Sequence, residues 1–230
     1  MSTVVEKKQL FYDTIADTFD DVMNEYDVMR RLDVVFDEFL SKVDLNGRNV
    51  LDAGCGTGRF SERAVERGGR VTSLDIGARL LQRVRARCRA KPVCGDITRL
   101  SFPDDFFDVV ISSECIEHTP SPQTAVMELL RVCRPGGHVV ITCPNRFWKW
   151  SCIMANALGI RAYDGLENWP GWFQLRRWIK ATGGKQIDST GIHLFPFVVH
   201  RLNPLLRKLD RCGRWLGPIY VNQAVLIAKT

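Results

Sequence analysis

Short runs of apolar, mostly β-branched residues alternate along this chain with stretches whose apolar positions recur every three or four residues. The short runs lie at residues 50–53, 71–74, 92–94, 109–112 and 139–143. Between them, residues 59–67, 78–89 and 123–133 carry the helical period, the last stopped by Pro135-Gly136-Gly137. Such alternation predicts right-handed βαβ crossovers and a parallel sheet covered by helices on both faces. Runs at 186–189 and 221–228 bring the expected strand count to seven. Upstream, Val35, Phe36, Phe39, Leu40 and Val43 keep helical spacing among acidic residues, so two helices are expected before the first strand.

Two long segments break this rhythm. Residues 144–171 contain Trp148, Trp150 and Trp169, and residues 190–218 separate the last two strands. Connections of this length in a compact domain are usually lids or binding loops. Within the second, residues 200–216 set Leu202, Leu205, Leu206, Leu209 and Leu216 among Arg201, Arg207, Lys208, Arg211 and Arg214. The pattern predicts one basic amphipathic helix, suited to capping a substrate pocket or to lying on an anionic membrane surface.

At 230 residues and 45% hydrophobic, the chain reads as a single domain. Its expected parts are a helical cap over 1–46, a cofactor core over 47–143, substrate-side segments over 144–220 and a final strand over 221–230. No run approaches the roughly 20 apolar residues of a membrane span, and residues 1–8 lack a secretory apolar core. A cytoplasmic location is expected, with peripheral membrane contact through the basic helix. The eight cysteines include no C-x-x-C pair, which favours reduced, buried thiols over a zinc site.

The net charge of +6 is unevenly spread: residues 1–46 hold eleven acids against five Lys or Arg, and residues 146–214 hold four against twelve. A basic face of that kind attracts anionic lipid, acidic substrates or nucleic acid. Nucleic acid is the least favoured, since no RNA-binding module and no N-P-P-Y motif follow the fourth strand.

Residues 50–58, Val50-Leu51-Asp52-Ala53-Gly54-Cys55-Gly56-Thr57-Gly58, read as a buried strand entering a glycine-rich turn. A dinucleotide fingerprint needs glycines spaced G-x-G-x-x-G, and Arg59 stands where its third glycine belongs. This disfavours a nicotinamide or flavin oxidoreductase. The turn instead resembles motif I of class I S-adenosylmethionine-dependent methyltransferases, an acidic residue followed by G-x-G-x-G. Asp75 ends the second strand at the interval that suits a grip on ribose hydroxyls. Asp96 follows the third, where that family places an acid near adenine.

The resemblance implies a Rossmann-like, doubly wound α/β fold whose seventh strand runs antiparallel. It also implies a cofactor site of Asp52, Gly54, Cys55, Gly56 and Gly58, then Asp75 and Ile76, Asp96 and Ile97, and Ser113. S-adenosylmethionine carries no phosphate, so the glycine turn would serve close backbone approach. The enzyme would hold a nucleophile in line with an already activated methyl group.

After the fourth strand, Glu114, Glu117 and His118 stand at i, i+3 and i+4, which on one helical turn would put all three on one face. Such an oxygen-rich set suits Mg²⁺ or Mn²⁺ acting as a Lewis acid on a bound hydroxyl. Without metal, the Glu-His pair would order the helix entrance, and His118 or His193 would serve as general base, with Glu117 beside it. The E-x-x-E-H run, Thr142-Cys143-Pro144-Asn145-Arg146 and Thr190-Gly191-Ile192-His193 together resemble the O-methyltransferases of ubiquinone biosynthesis. That resemblance implies a divalent metal on Glu114, Glu117 and His118, a prenylated phenol as acceptor, and Arg31 for the cofactor carboxylate. Residues 147–220 match that group only loosely, which leaves a sugar, a glycan or another small hydroxyl or amine as alternative acceptors.

Overall fold

The computed structural model describes residues 14, 16, 19–159, 166–194 and 203–230. Its strands are β1 (Asn49–Ala53), β2 (Arg70–Asp75), β3 (Lys91–Cys94), β4 (Phe107–Ser113), β5 (Cys133–Pro144), β6 (Gly184–Ile192) and β7 (Asn222–Lys229). They form one sheet in the order β3-β2-β1-β4-β5-β7-β6. The first five pair in parallel, and β7 runs antiparallel to both β5 and β6. The sheet has the expected strand number and the expected reversed last strand.

Strand β1 sits mid-sheet with both faces covered, and this explains its nearly unbroken apolar run. Because successive side chains point to opposite faces, its residues feed two cores. Leu51 and Ala53 join Val110 and Ile141 under α5 (Pro122–Val132) and α7 (Trp172–Ala181). Val50 joins Val109, Ile111 and Val140 under α3 (Arg59–Glu66) and α4 (Ala78–Arg87).

The N-terminal part contributes α1 (Phe19–Val22) and α2 (Glu25–Leu32), the latter continuing as a π-helical stretch over Asp33–Phe39. That wider turn places Val34, Val35, Phe36 and Phe39 together in the second core. Sequence periodicity shows apolar spacing here, but not the change of helix type.

Two expectations are corrected. Pro135-Gly136-Gly137 lies within β5 and does not separate a helix from a later strand. Gly136 takes φ 71°, and a register shift between Phe107 and Val109 on β4 absorbs the irregularity. The basic stretch does not form one helix: α8 (Asn203–Asp210) and α9 (Gly213–Leu216) are separate, and residues 195–202 lie outside the described residues. Asp210, 2% exposed, faces inward and pairs with Arg30, which anchors the end of α8.

The segment after β5 holds a 3₁₀ turn, Arg146–Trp148, and α6 (Lys149–Ala157); residues 160–165 lie outside the described residues. All eight cysteines are free thiols. Among the described residues, no helix is long and apolar enough to cross a membrane.

Candidate active site

The carboxyl ends of the parallel strands carry the expected residues, and this is where open α/β sheets bind ligands. After β1 the chain turns through Gly54, Gly56 and Gly58, at φ 77°, 54° and 87°. L-residues with a Cβ rarely adopt these values. The turn is pinned by hydrogen bonds from the Gly54 and Cys55 N–H groups to the Leu74 carbonyl at 2.7 and 3.0 Å. Cys55 is buried, and burial pushes its thiol well up.

Asp75 links the turns after β1 and β2. Its two carboxylate oxygens accept from the Gly56 and Gly77 N–H groups, each at 2.9 Å. Ile76 beside it is half-buried. Asp96 accepts from the backbone N–H and the hydroxyl of Thr98, both at 2.8 Å, so its carboxylate shapes the turn beyond β3. Ile97 packs into the core with Leu74.

Asp52 lies behind the turn. It is 1% exposed, accepts from the Ser61 hydroxyl at 2.6 Å, and Ser61 meets Ser73 at 2.6 Å. Burial pushes its pKa to about 7, the Ser61 hydrogen bond opposing and nearby Asp75 adding. Burial likewise lifts Glu114 to about 7, against the pull of Arg31.

Both carboxyls hold a proton in the folded chain at pH values where the unfolded chain has lost it. Ligand-free stability should therefore fall as pH rises from about 4 to about 7. Urea unfolding at pH 5 and pH 7.5 should show a lower midpoint at the higher pH, and Asp52→Asn should flatten that slope. An unchanged slope in the variant would remove Asp52 from the linkage.

Ser113 ends β4 and meets Arg31 and Thr142. Arg31 Nη1 donates to the Ser113 hydroxyl at 3.1 Å, and the Ser113 and Thr142 hydroxyls are 2.8 Å apart. Arg31, 3% exposed, also pairs with Asp27 one helical turn earlier at 3.2 Å. Helix α2 thus delivers a buried cation to the end of β4. Sequence reading missed Asp27, although an Asp–Arg pair at i, i+4 was a visible signal.

The expected convergence of Glu114, Glu117 and His118 does not occur. Glu114 sits at φ 52° in the turn after β4, and its carboxylate accepts from Thr142 at 3.3 Å. The one-turn 3₁₀ helix starts later, at Ile116, and carries only Glu117 and His118. His118 Nε2 lies 3.8 Å from Glu117 Oε1, and its Nδ1 donates to the Leu166 carbonyl at 3.1 Å. Among the described residues, no group of three His, Cys, Asp or Glu side chains is placed to share a metal ion. The donor set therefore does not fit the divalent metal that the E-x-x-E-H run suggests.

His193 follows β6 and is 4% exposed. It reaches the same buried cluster, with Nδ1 3.9 Å from Asp27 Oδ1.

Comparisons with known proteins agree with this fold. Residues 51–141 match the family described as a methyltransferase domain. The ubiquinone biosynthesis O-methyltransferase of Pectobacterium carotovorum subsp. carotovorum is 28% identical over 208 residues, 84% of this chain and 87% of that protein. The malonyl-[acyl-carrier protein] O-methyltransferase of Serratia marcescens is 41% identical over 97 residues, 42% of this chain and 38% of that protein.

Among solved structures, an S-adenosylmethionine-dependent methyltransferase from Mesorhizobium loti superposes with a TM-score of 0.61 at 19% identity, covering 80% of this chain and 92% of that one. The [4+2]-cyclase SpnF superposes at 0.69 with 18% identity, covering 99% and 97%. That likeness extends the fold match to nearly the whole chain and carries no activity with it. With its glycine turn and strand order, the chain carries a methyltransferase domain over residues 51–141 and has the fold of S-adenosylmethionine-dependent methyltransferases.

Proposed function

We propose that the chain methylates a hydroxyl on an aromatic, lipid-linked acceptor. The observation that carries this reading is the meeting, at the carboxyl ends of β1, β2 and β4, of the glycine turn, Asp75 and the Arg31–Ser113 pair. When bound, S-adenosylmethionine supplies a methyl group activated by its sulfonium.

The chain's own residues then have separable tasks. Gly54, Cys55, Gly56 and Gly58 let the cofactor approach the backbone. Asp75 and Ile76 take the ribose, with the carboxylate accepting its hydroxyls, and Asp96 and Ile97 flank the adenine. Arg31, held by Asp27, takes the amino-acid carboxylate beside Ser113, while Asp52 supports the turn from behind through Ser61. Glu117, His118 and His193 lie on the acceptor side. No step passes through a metal, because Glu114 stands off the turn that carries Glu117 and His118.

A lipid-linked acceptor is supported by α6. Its Trp150, Ile153 and Met154, with Leu158 just beyond, are 48, 61, 54 and 69% exposed. Their spacing makes one apolar stripe that faces outward, the reverse of a helix packed on a core. Residues 146–158 contain Arg146 and Lys149 and no acid, a combination that suits the headgroup region of an anionic bilayer.

One experiment tests both parts of the reading. Isotope-labelled cofactor is supplied with phenols, catechols, glycans, amines and RNA, each in detergent and on anionic vesicles, and products are identified by mass spectrometry. Methyl transfer to a phenolic oxygen, enhanced on vesicles and losing that enhancement in Trp150→Ala, is expected. Transfer only to glycans, amines or RNA would overturn the phenol assignment, and equal rates in detergent and on vesicles would overturn the lipid surface.

A further inference from the structure

His193 is held by its backbone on both sides. Its N–H donates to Asp210 Oδ1 at 2.9 Å, and its carbonyl accepts from Val221 N–H at 2.9 Å. It adopts φ 62°, a value a non-glycine residue keeps only when its surroundings impose it. The ring has little freedom, since Tyr26 packs edge-on against it at 5.5 Å between centroids.

Its two nitrogens have different surroundings. Nδ1 faces Asp27 Oδ1 at 3.9 Å. Nε2 is buried and makes no hydrogen bond among the described residues. A buried polar atom without a partner is destabilising, so this one marks a place where a ligand atom completes the site.

Asp27 is fixed in turn. Oδ1 accepts from Asn222 Nδ2 at 2.9 Å, and Oδ2 pairs with Arg31 at 3.2 Å. Burial works against its ionisation, but Arg31 and His193 outweigh it and hold the carboxyl below its usual range. The charged groups around the imidazole are Asp27 with Arg31 on α2, and Asp210 on α8, itself paired with Arg30 at 3.3 Å. Two acids thus face the ring, each tied to its own arginine, while β7 contributes the neutral Asn222.

We propose that His193 Nε2 takes the proton of the acceptor hydroxyl, and that Asp27 is the positioning residue that keeps the other ring proton on Nδ1. The assignment rests on the methyl-transfer reading above. The acceptor O–H proton moves to Nε2 and an oxygen lone pair forms the new O–C bond. The donor's S–C bond breaks as this happens, and its electron pair converts the sulfonium to a neutral thioether. Imidazolium is left next to the Asp27 carboxylate and later returns its proton to water. Asp27 stands to His193 as a carboxylate that selects the tautomer, without itself becoming protonated.

The test exploits what Asp27→Asn does to the ring. Arg31 can only donate, so it holds the amide oxygen of the new side chain. The amide NH₂ then stands where Oδ1 stood, so the Asn222 amide turns to present its oxygen, and His193 Nδ1 must accept, which moves the ring proton to Nε2. ¹⁵N imidazole shifts of the ligand-free protein, assigned by the signal lost in His193→Gln, should show the Nδ1–H form in the wild type and the Nε2–H form in Asp27→Asn. With a methylated acceptor in hand, His193→Gln and Asp27→Asn should each lower kcat about 100-fold with the KM for the acceptor little changed, within the range of general-base catalysis. Asp27→Glu, which keeps the carboxylate, should recover part of the loss.

An unchanged tautomer in Asp27→Asn, or near wild-type kcat in a folded His193→Gln, overturns the proposal. If no hydroxyl in the acceptor panel is methylated, the functional reading fails and the base role with it. The ¹⁵N arm then reports separately whether Asp27 governs the ring.

Discussion

Asp75→Ala should weaken binding of S-adenosylmethionine and of its demethylated product about 1,000-fold, measured by calorimetry, while the protein stays folded. In the proposed complex the carboxylate accepts two ribose hydroxyls, and hydrogen bonds to charged groups contribute about 1.5–3 kcal/mol each. Two such bonds correspond to roughly 10² to 10⁴ in affinity. The same side chain also organises the protein, since it accepts from the Gly56 and Gly77 N–H groups. Asp75→Asn is therefore the sharper variant, because it keeps one acceptor oxygen and should fall between alanine and wild type. Cofactor affinity within about three-fold of wild type in Asp75→Ala, well under 1 kcal/mol, would refute the assignment.

Gly54→Ala should lower both stability and cofactor binding, with Tm falling about 10 °C. At φ 77° an L-residue is strained by about 1–2 kcal/mol. The added methyl would also lie 2.1 Å from Cys115 Sγ and 2.4 Å from its Cβ. Rotating the thiol away leaves the Cβ clash in place, so the backbone must move, and overpacking of that kind is destabilising by about 1–3 kcal/mol. For a chain of this size each 1 kcal/mol shifts Tm by about 2–4 °C. Cys115→Gly in the same chain removes both clashing atoms and should restore part of the loss, the remainder being backbone strain. A double variant no more stable than Gly54→Ala alone would locate the damage elsewhere.

These two positions were legible in the sequence because both the turn and Asp75 directly follow apolar runs. A strand's end can be read from local pattern, and in this fold strand ends carry the site. Glu114 was misread for a local reason as well. The i, i+3, i+4 spacing presumes a helix starting at once, whereas a left-handed residue at Glu114 delays it to Ile116.

Asp27 and His193 could not be paired from sequence, since they lie far apart and meet only because β7 brings β6 alongside the rest of the sheet. The outward stripe on α6 was hidden differently. Helical periodicity shows that an apolar face exists, not whether core or solvent receives it.

The insertion of β7 between β5 and β6 also sets an order of assembly. Among the described residues β6 makes no strand pairing with the other five strands and joins the sheet through β7. During synthesis, β1 to β5 can pair as they emerge, each next to a strand already made. β6 emerges before β7 and must wait for it, so His193 and the helices that follow β6 reach their places only after residue 222 and its successors leave the ribosome. A nascent chain stalled just short of that point would hold a nearly finished cofactor half with no proton acceptor beside it, and could bind the methyl donor before it could use it.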